Sequence, residues 1–406
     1  VHLNKTNYET KKQQLHENNS VVNNNLNNYS TMVSNTKLSS SDAREVVQSD
    51  ALSIAKKYKR CGLGISMGVG KTRIAIQHLM ANYNPLISVL VVIPKNSVKQ
   101  SWIDELLKME ASMLLDVITF TTYLSLKKHN PNDYDIVYLD ECHSLKYSHE
   151  VFLGPYSGKI LGLTGTPPKS KTSEKGMLVQ KYCPIKYIFT VDSATDSKIL
   201  NDYKIIIHEL ELSKLPSLKK KNKNGGHWWT SEEKDYNYVT SRLAEAQTQK
   251  QIQFARIMRM RALMDYTSKE SYVKSILKNI DSQCIVFANT QKQADRICKH
   301  SYHSGNPKSE ENLELFSDGR INQLSCVLQL SEGVTIPNLK QGIIMHAYGN
   351  EKKTAQRIGR LLRLNPTETA TCHILCYKGT QDVKWVEAAT SGFDQNKIKR
   401  YNPLNR

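Results

Sequence analysis

Three uninterrupted apolar runs constrain this chain's fold more than any other feature: Val89-Leu90-Val91-Val92-Ile93, Ile136-Val137-Tyr138-Leu139 and Ile160-Leu161-Gly162-Leu163. A half-buried strand would alternate apolar and polar residues. Continuous runs suit strands covered on both faces, and so a parallel sheet with helical crossovers. A second series follows at Ile205–Ile207, Cys284–Phe287, Cys326–Leu328 and Gly342–Met345. Two such series imply two tandem α/β domains, and 406 residues suffice for two cores.

The domains are expected at 41–197 and 198–392, joined near Ser193–Asn201, with a tail over 393–406. Residues 1–40 are polar and asparagine-rich, with few apolar anchors, and read as a tail or a small docked element.

Charge narrows the function classes. Fifty-six Lys and Arg against 38 Asp and Glu leave +18, a surplus that attracts polyanions. No window holds eighteen uninterrupted apolar residues, and the first residues lack the apolar core of a secretory signal, so a cytoplasmic setting is expected. The eight cysteines form no C-x-x-C pair, which points to reduced, structural thiols rather than a zinc site.

The strongest local signal is Ser66-Met67-Gly68-Val69-Gly70-Lys71-Thr72, followed by a helical run. A phosphate chain needs several N–H donors at once, so the backbone must curl tightly around it. Gly68 and Gly70 permit that curl, and a helix N-terminus then faces the anion. Lys71 can reach the outer phosphates and Thr72 can hold Mg²⁺.

Asp140-Glu141-Cys142-His143 supplies adjacent carboxylates at a strand's end. One, Asp140, suits the metal, and the other, Glu141, suits the attacking water. Far along the chain, Gln356-Arg357-Ile358-Gly359-Arg360-Leu361-Leu362-Arg363 places Arg360 and Arg363 on one helix face, where they could clamp a transferring phosphoryl group.

Two stretches read less sharply. Lys219-Lys220-Lys221-Asn222-Lys223-Asn224-Gly225-Gly226-His227-Trp228-Trp229 suggests a hairpin insertion at about 212–230, with lysines for phosphates and Trp228 and Trp229 for base stacking or for packing. Glu232–Met264 has helical texture, with Leu243, Ile252, Phe254, Ile257 and Met260 as apolar positions, and reads as a packed helix with a basic exposed face.

The order of these motifs resembles the superfamily 2 helicases and translocases. Gln48 resembles the family's adenine-reading glutamine. Pro94-Lys95 and Thr121-Thr122 resemble strand-contacting motifs, and Leu163-Thr164-Gly165-Thr166-Pro167 resembles the motif linking hydrolysis to movement. Asn289-Thr290 resembles a further strand contact, and Ser331-Glu332-Gly333 resembles the motif that couples nucleotide to strand; Thr335 departs from the aspartate often found there. Tyr203–Ile207, the Trp-containing loop and Gly379–Trp385 look most like phage-encoded UvsW-type repair helicases, with Swi/Snf-type translocases next.

The resemblance implies two RecA-like domains with an ATP site in the cleft between them. Lys71, Asp140, Glu141, Gln356, Arg360 and Arg363 would be catalytic, and Gln48, Gly68, Gly70, Thr72 and Gly333 would hold nucleotide. Asp140 and Thr72 would hold Mg²⁺. Coupling would fall to His143, Thr164 and Thr166, and strand contacts to Pro94, Lys95, Thr121, Thr122, Asn289, Thr290, Ser331, Trp228 and Trp229. The expected activity is ATP-dependent unwinding or remodelling of branched DNA with 3′→5′ movement. The alternatives are a duplex translocase that does not separate strands, or an RNA helicase.

Overall fold

The computed structural model describes residues 40–221, 225–327, 339–347 and 369–403. These fall into two compact units that divide between Leu200 and Asn201.

The first unit is built on a six-stranded sheet. Its strands are β1 (Arg60–Ile65), β2 (Val89–Ile93), β3 (Ile118–Thr122), β4 (Ile136–Asp140), β5 (Lys159–Thr164) and β6 (Ile185–Phe189). They lie in the order β3-β2-β4-β5-β1-β6, every pair parallel. The three apolar runs are β2, β4 and β5, and β2 and β4 are buried at every position. Leu90, Val92, Leu139 and Ile160 pack with Phe152, Leu178 and Tyr182 from the covering helices. Each such side chain taken from water contributes about 1.5–3 kcal/mol.

The second unit has a seven-stranded sheet, again parallel throughout. Its strands are β7 (Asp202–Leu210), β10 (Cys284–Phe287), β11 (Ser301–Tyr302), β12 (Gln323–Cys326), β13 (Gln341–Ile344), β14 (Thr369–Tyr377) and β15 (Ile398–Tyr401). The order is β11-β12-β10-β13-β14-β7-β15. Val286, Ile343 and Leu375 meet Leu263, Tyr266 and Val273 in its core. Between β7 and β10 stands the expected hairpin, β8 (Leu218–Lys221) against β9 (His227–Thr230), antiparallel, with Lys219 opposite Trp229 and Lys220 opposite Trp228.

Two expectations need correction. The strand anticipated at Cys326–Leu328 is instead Gln323–Cys326. Ser325 is fully buried there because its hydroxyl donates to the Ala294 carbonyl at 2.7 Å. Glu232–Met264 is two helices, Glu232–Ala244 and Gln249–Asp265, the second opened by a capping box between Thr248 and Gln251. Nor are Phe254 and Ile257 packed: they are 66% and 43% exposed. The second helix turns Ala255, Ala262, Leu263 and Met264 inward instead.

All eight cysteines are buried thiols outside any disulfide, as expected of structural thiols. Among the described residues no helix is long and apolar enough to cross a membrane, and no cluster of His, Cys, Asp or Glu could hold a metal ion by itself.

Candidate nucleotide site

Register brings the chemistry together. Gly64 of β1 pairs with Thr164 of β5, and Leu163 of β5 pairs with Asp140 of β4. Three loops therefore leave the same carboxyl edge of the first sheet: Ser66–Gly70, Glu141–His143 and Gly165–Thr166. That edge is where open parallel sheets bind ligands.

The loop after β1 is shaped for an anion. Gly68 and Gly70 have φ of 85° and 104°, conformations that other residues avoid. Gly70 caps helix Lys71–Met80 with no side-chain bond to that helix's N-terminus, so the first-turn amides are not engaged by a cap. A Cβ on Gly70 would stand 2.5 Å from Gln48 Nε2, so the left-handed turn and the packing both demand glycine. Gln48 is buried and donates from Nε2 to the Val69 carbonyl at 2.8 Å, bracing the loop. Lys71 and Thr72 open the helix, half-buried. The Lys71 ammonium faces both acidic side chains and lies 3.3 Å from where a Cβ on Gly165 would sit, so a residue larger than glycine there would crowd the amine.

The acidic pair divides its work by environment. Asp140 is buried at the end of β4, its Oδ2 accepting from Trp102 Nε1 at 3.0 Å and its carbonyl from the Tyr123 hydroxyl at 2.8 Å. Burial, then the neighbouring Glu141 carboxylate, pushes Asp140 up to about 6 against the pull of Trp102 and Lys71. Glu141 adopts φ 52°, ψ 54°, which turns its side chain away from the strand direction toward His143. For Glu141, burial acts upward, but the hydrogen bond from His143 and the charge of Lys71 prevail and hold it down to about 2. Burial thus favours the protonated form of Asp140, while His143 and Lys71 favour the ionised form of Glu141.

His143 ties the acid to the next loop. Its Nδ1 is 3.2 Å from Glu141 Oε2 and 2.8 Å from the Thr164 hydroxyl, which also accepts from the Thr166 amide at 3.1 Å. Thr164 in turn donates weakly to Glu141 at 3.4 Å. Glu141, His143, Thr164 and Thr166 are thus one hydrogen-bonded cluster.

The donor set fits a magnesium–nucleotide complex: a glycine cradle a Cβ would fill, an amine, a hydroxyl and a hard carboxylate. Thr72 and Asp140 would hold the ion, whose part is to neutralise phosphate charge. Glu141 would orient a water.

The expected strand contacts are placed unevenly. Pro94 and Lys95 follow β2, with Lys95 exposed. Thr122 is half-buried at the end of β3. Thr121 is buried, its hydroxyl 2.9 Å from His129 Nε2, so it is turned inward. At the end of β10, Thr290 caps helix Gln291–Ile297 and Asn289 Nδ2 points to Met264 Sδ at 2.8 Å. Trp228 and Trp229 are 49% and 61% exposed. Ser331, Gly333, Gln356, Arg360 and Arg363 lie outside the described residues.

Sequence reasoning missed a buried polar centre in the second unit. Lys269, fully buried, bonds to Asp382 Oδ2 at 2.5 Å, to the Met345 carbonyl at 2.9 Å and to the Leu375 carbonyl at 3.3 Å. Asp382 also accepts from the Tyr377 amide at 3.1 Å. No local signal marks the pair, because the partners lie 113 residues apart.

Known families match both halves of the chain. "Type III restriction enzyme, res subunit" matches residues 25–169, and "Helicase conserved C-terminal domain" matches residues 268–365. The chain carries helicase superfamily 2 domains in both halves. By class it is an ATP-dependent helicase enzyme. A relative from Sulfurisphaera tokodaii, "DNA 3'-5' translocase XPB2", is 24% identical over 83% of this chain and 82% of its own length.

Among solved structures, the helicase domain of Pyrococcus furiosus Hef aligns with a TM-score of 0.51 at 13% identity, over 84% of this chain and 97% of that one. The Type ISP restriction-modification enzyme LlaBIII bound to DNA aligns at 0.58 and 13% identity, over 91% of this chain; the superfamily 2 chain spans only 32% of that enzyme. At such identities these likenesses show the fold: two RecA-like α/β domains with parallel sheets.

Proposed function

We propose that this superfamily 2 enzyme hydrolyses ATP with Mg²⁺ to translocate on DNA, parting or remodelling forked and branched duplexes. The observation that carries the motor reading is the continuous Glu141–His143–Thr164–Thr166 cluster, which ties the hydrolytic carboxylate to a loop outside the phosphate cradle. A change at the nucleotide is thereby passed to the protein's own backbone. In the proposal Lys71 and Thr72 bind phosphate and metal, Glu141 orients water, and Arg360 with Arg363, assisted by Gln356, stabilises the developing charge.

The polymer assignment rests on three supports. The net charge of +18 favours a polyanion. The S. tokodaii relative is named a DNA translocase. The Lys-bearing hairpin sets exposed tryptophans on a two-stranded ribbon, where a base could stack. Lys95, Thr122 and residues 289–290 would meet backbone phosphates, contacts that ignore sequence. The UvsW-type affinity belongs to this proposal, as does a cytoplasmic setting. The relative's name favours a second reading, a translocase on duplex DNA without strand separation.

A forked DNA with one labelled strand decides between them, run beside ATPase assays with DNA and RNA. Strand release with DNA-stimulated turnover supports the first reading. Turnover and protein displacement without release supports the second. Stimulation by RNA alone would overturn both.

A further inference from the structure

One surface is used by neither the nucleotide site nor the hairpin. Helix Gln249–Asp265 leaves Phe254, Ile257 and Met258 between 41% and 66% exposed. An open groove of about 640 Å³ runs between it and helix Gln381–Thr390, with Ile252, Ile257, Met260 and Trp385 in its lining. Arg256 and Arg259 line the same groove, and Arg259 is held in place by Gln381 Oε1 at 3.1 Å. A smaller groove of about 380 Å³ on the other flank takes in Phe254 and Met258. An apolar surface of this kind, left uncovered, marks an interaction site.

We propose that this groove docks an acidic, amphipathic helical segment of a partner protein. The aliphatic lining calls for aliphatic side chains, which the outer surface of a duplex offers only as scattered thymine methyls. The two arginines call for carboxylates, which they bind through paired N–H donors. The helix that forms one wall has 17 residues, about 25 Å in length, room for four turns of a partner helix.

Charge argues against the occupants nearer to hand. A second copy brings its own +18, and face-to-face pairing would set arginine on arginine. Residues 1–39 carry four lysines against two glutamates, the wrong sign for this groove.

The test is selection from a library of 18-residue peptides against the full immobilised chain. Leucine is fixed at helical spacing, and the other positions draw from Glu, Lys, Ala and Gln. The expected result is enrichment of acidic peptides that bind with micromolar affinity and lose at least tenfold when either Ile257→Glu with Met260→Glu or Arg256→Glu with Arg259→Glu is introduced. Arg256 and Ile257 are exposed and Arg259 and Met260 half-buried. Both variants should stay folded and keep the wild-type ATPase rate, and Ile257→Glu or Arg256→Glu alone repeats the test where a double variant melts early. Three outcomes overturn the proposal: no enrichment, enrichment of basic peptides, or peptides that bind the variants equally. A fourth would reassign the face to nucleic acid, namely variants that lose affinity for duplex DNA while no peptide is retained. Displacement of bound peptide by a synthetic copy of residues 1–39 would make the chain's own segment the occupant instead.

Discussion

His143 Nδ1 lies 3.2 Å from Glu141 Oε2, close enough to donate to it. The bond places a hydrogen-bond donor against the carboxylate that should orient water, and it runs on to Thr164 at 2.8 Å. Orientation, not basicity, is what a carboxylate held down to about 2 can supply. In the proposed role, water would be oriented by a carboxylate that His143 and Lys71 hold toward its ionised form.

Replacing His143 with Ala should therefore alter the pH profile as well as the rate. Loss of a charge-assisted bond, about 1.5–3 kcal/mol, lets burial raise Glu141 by about one to two pH units. Glu141 must be ionised to orient water, so at saturating Mg²⁺ the part of the acid limb that it sets moves upward by that amount. ATP affinity should change little. Nucleic-acid stimulation should fall more than basal turnover, because the link to Thr164 is cut. An unaltered profile with a uniformly lower rate would reduce His143 to packing. In Glu141→Gln, nucleotide binding should survive while turnover falls by about 10² or more.

Asp140 makes the metal requirement depend on pH. Burial and its carboxylate neighbour raise it to about 6, so a proton competes with the cation below that value. Apparent Mg²⁺ affinity should fall by up to about tenfold per pH unit as pH drops below about 6, and level off above it. Magnesium titrations of ATPase activity between pH 5 and 8 would show the break. Trp102→Phe removes the N–H that lowers Asp140, and so should move the break upward. A flat dependence would take Asp140 out of the metal site.

Trp228 and Trp229 should matter for the strand and not for ATP. They are 49% and 61% exposed, so alanine at both should cost little stability. If each stacks a base, single-strand affinity should fall by about 1–3 kcal/mol per tryptophan. Strand release should fall with it, while basal ATPase stays near wild type. Anisotropy with a labelled oligonucleotide measures the first and a stopped ATPase assay the last. Equal loss of both activities would tell against the stacking role.

How far this was legible in the sequence follows from how local each signal is. Val89–Ile93 and Ile136–Leu139 announced doubly covered strands because every position is apolar and every position is buried. The phosphate loop was legible because only glycine tolerates φ of 85° and 104°. The position of β12 was not, since Ser325 looks like a surface residue until the Ala294 and His300 carbonyls that receive it are known. The break near 245–248 had a local sign, Thr248 three residues before Gln251, that apolar spacing obscured. Thr121 was expected to face the strand, and its turn toward His129 depends on a loop eight residues on. Lys269 was invisible for the same reason in stronger form: a lysine in a helix reads as surface until its carboxylate arrives from far along the chain.

That buried pair gives the sharpest stability test. Lys269 and Asp382 are 0% and 1% exposed, and the bond between them joins the start of one helix to the start of another beneath β13 and β14. Asp382 Oδ1 has no hydrogen-bond partner, so the carboxylate's charge is compensated at Oδ2 by Lys269, with the Tyr377 amide beside it. Lys269→Met strands that charge and should cost about 3–5 kcal/mol. Asp382→Leu strands the ammonium, though the Met345 and Leu375 carbonyls still receive it, and should cost less. The double variant removes both charges and should recover part of the loss, since an apolar pair of similar volume avoids desolvation altogether. Denaturant midpoints of the four proteins close the cycle. If the double variant is as unstable as the sum of the singles, the pair is not an ion pair in the energetic sense. The two side chains would then act through separate bonds to the strand carbonyls and the Tyr377 amide.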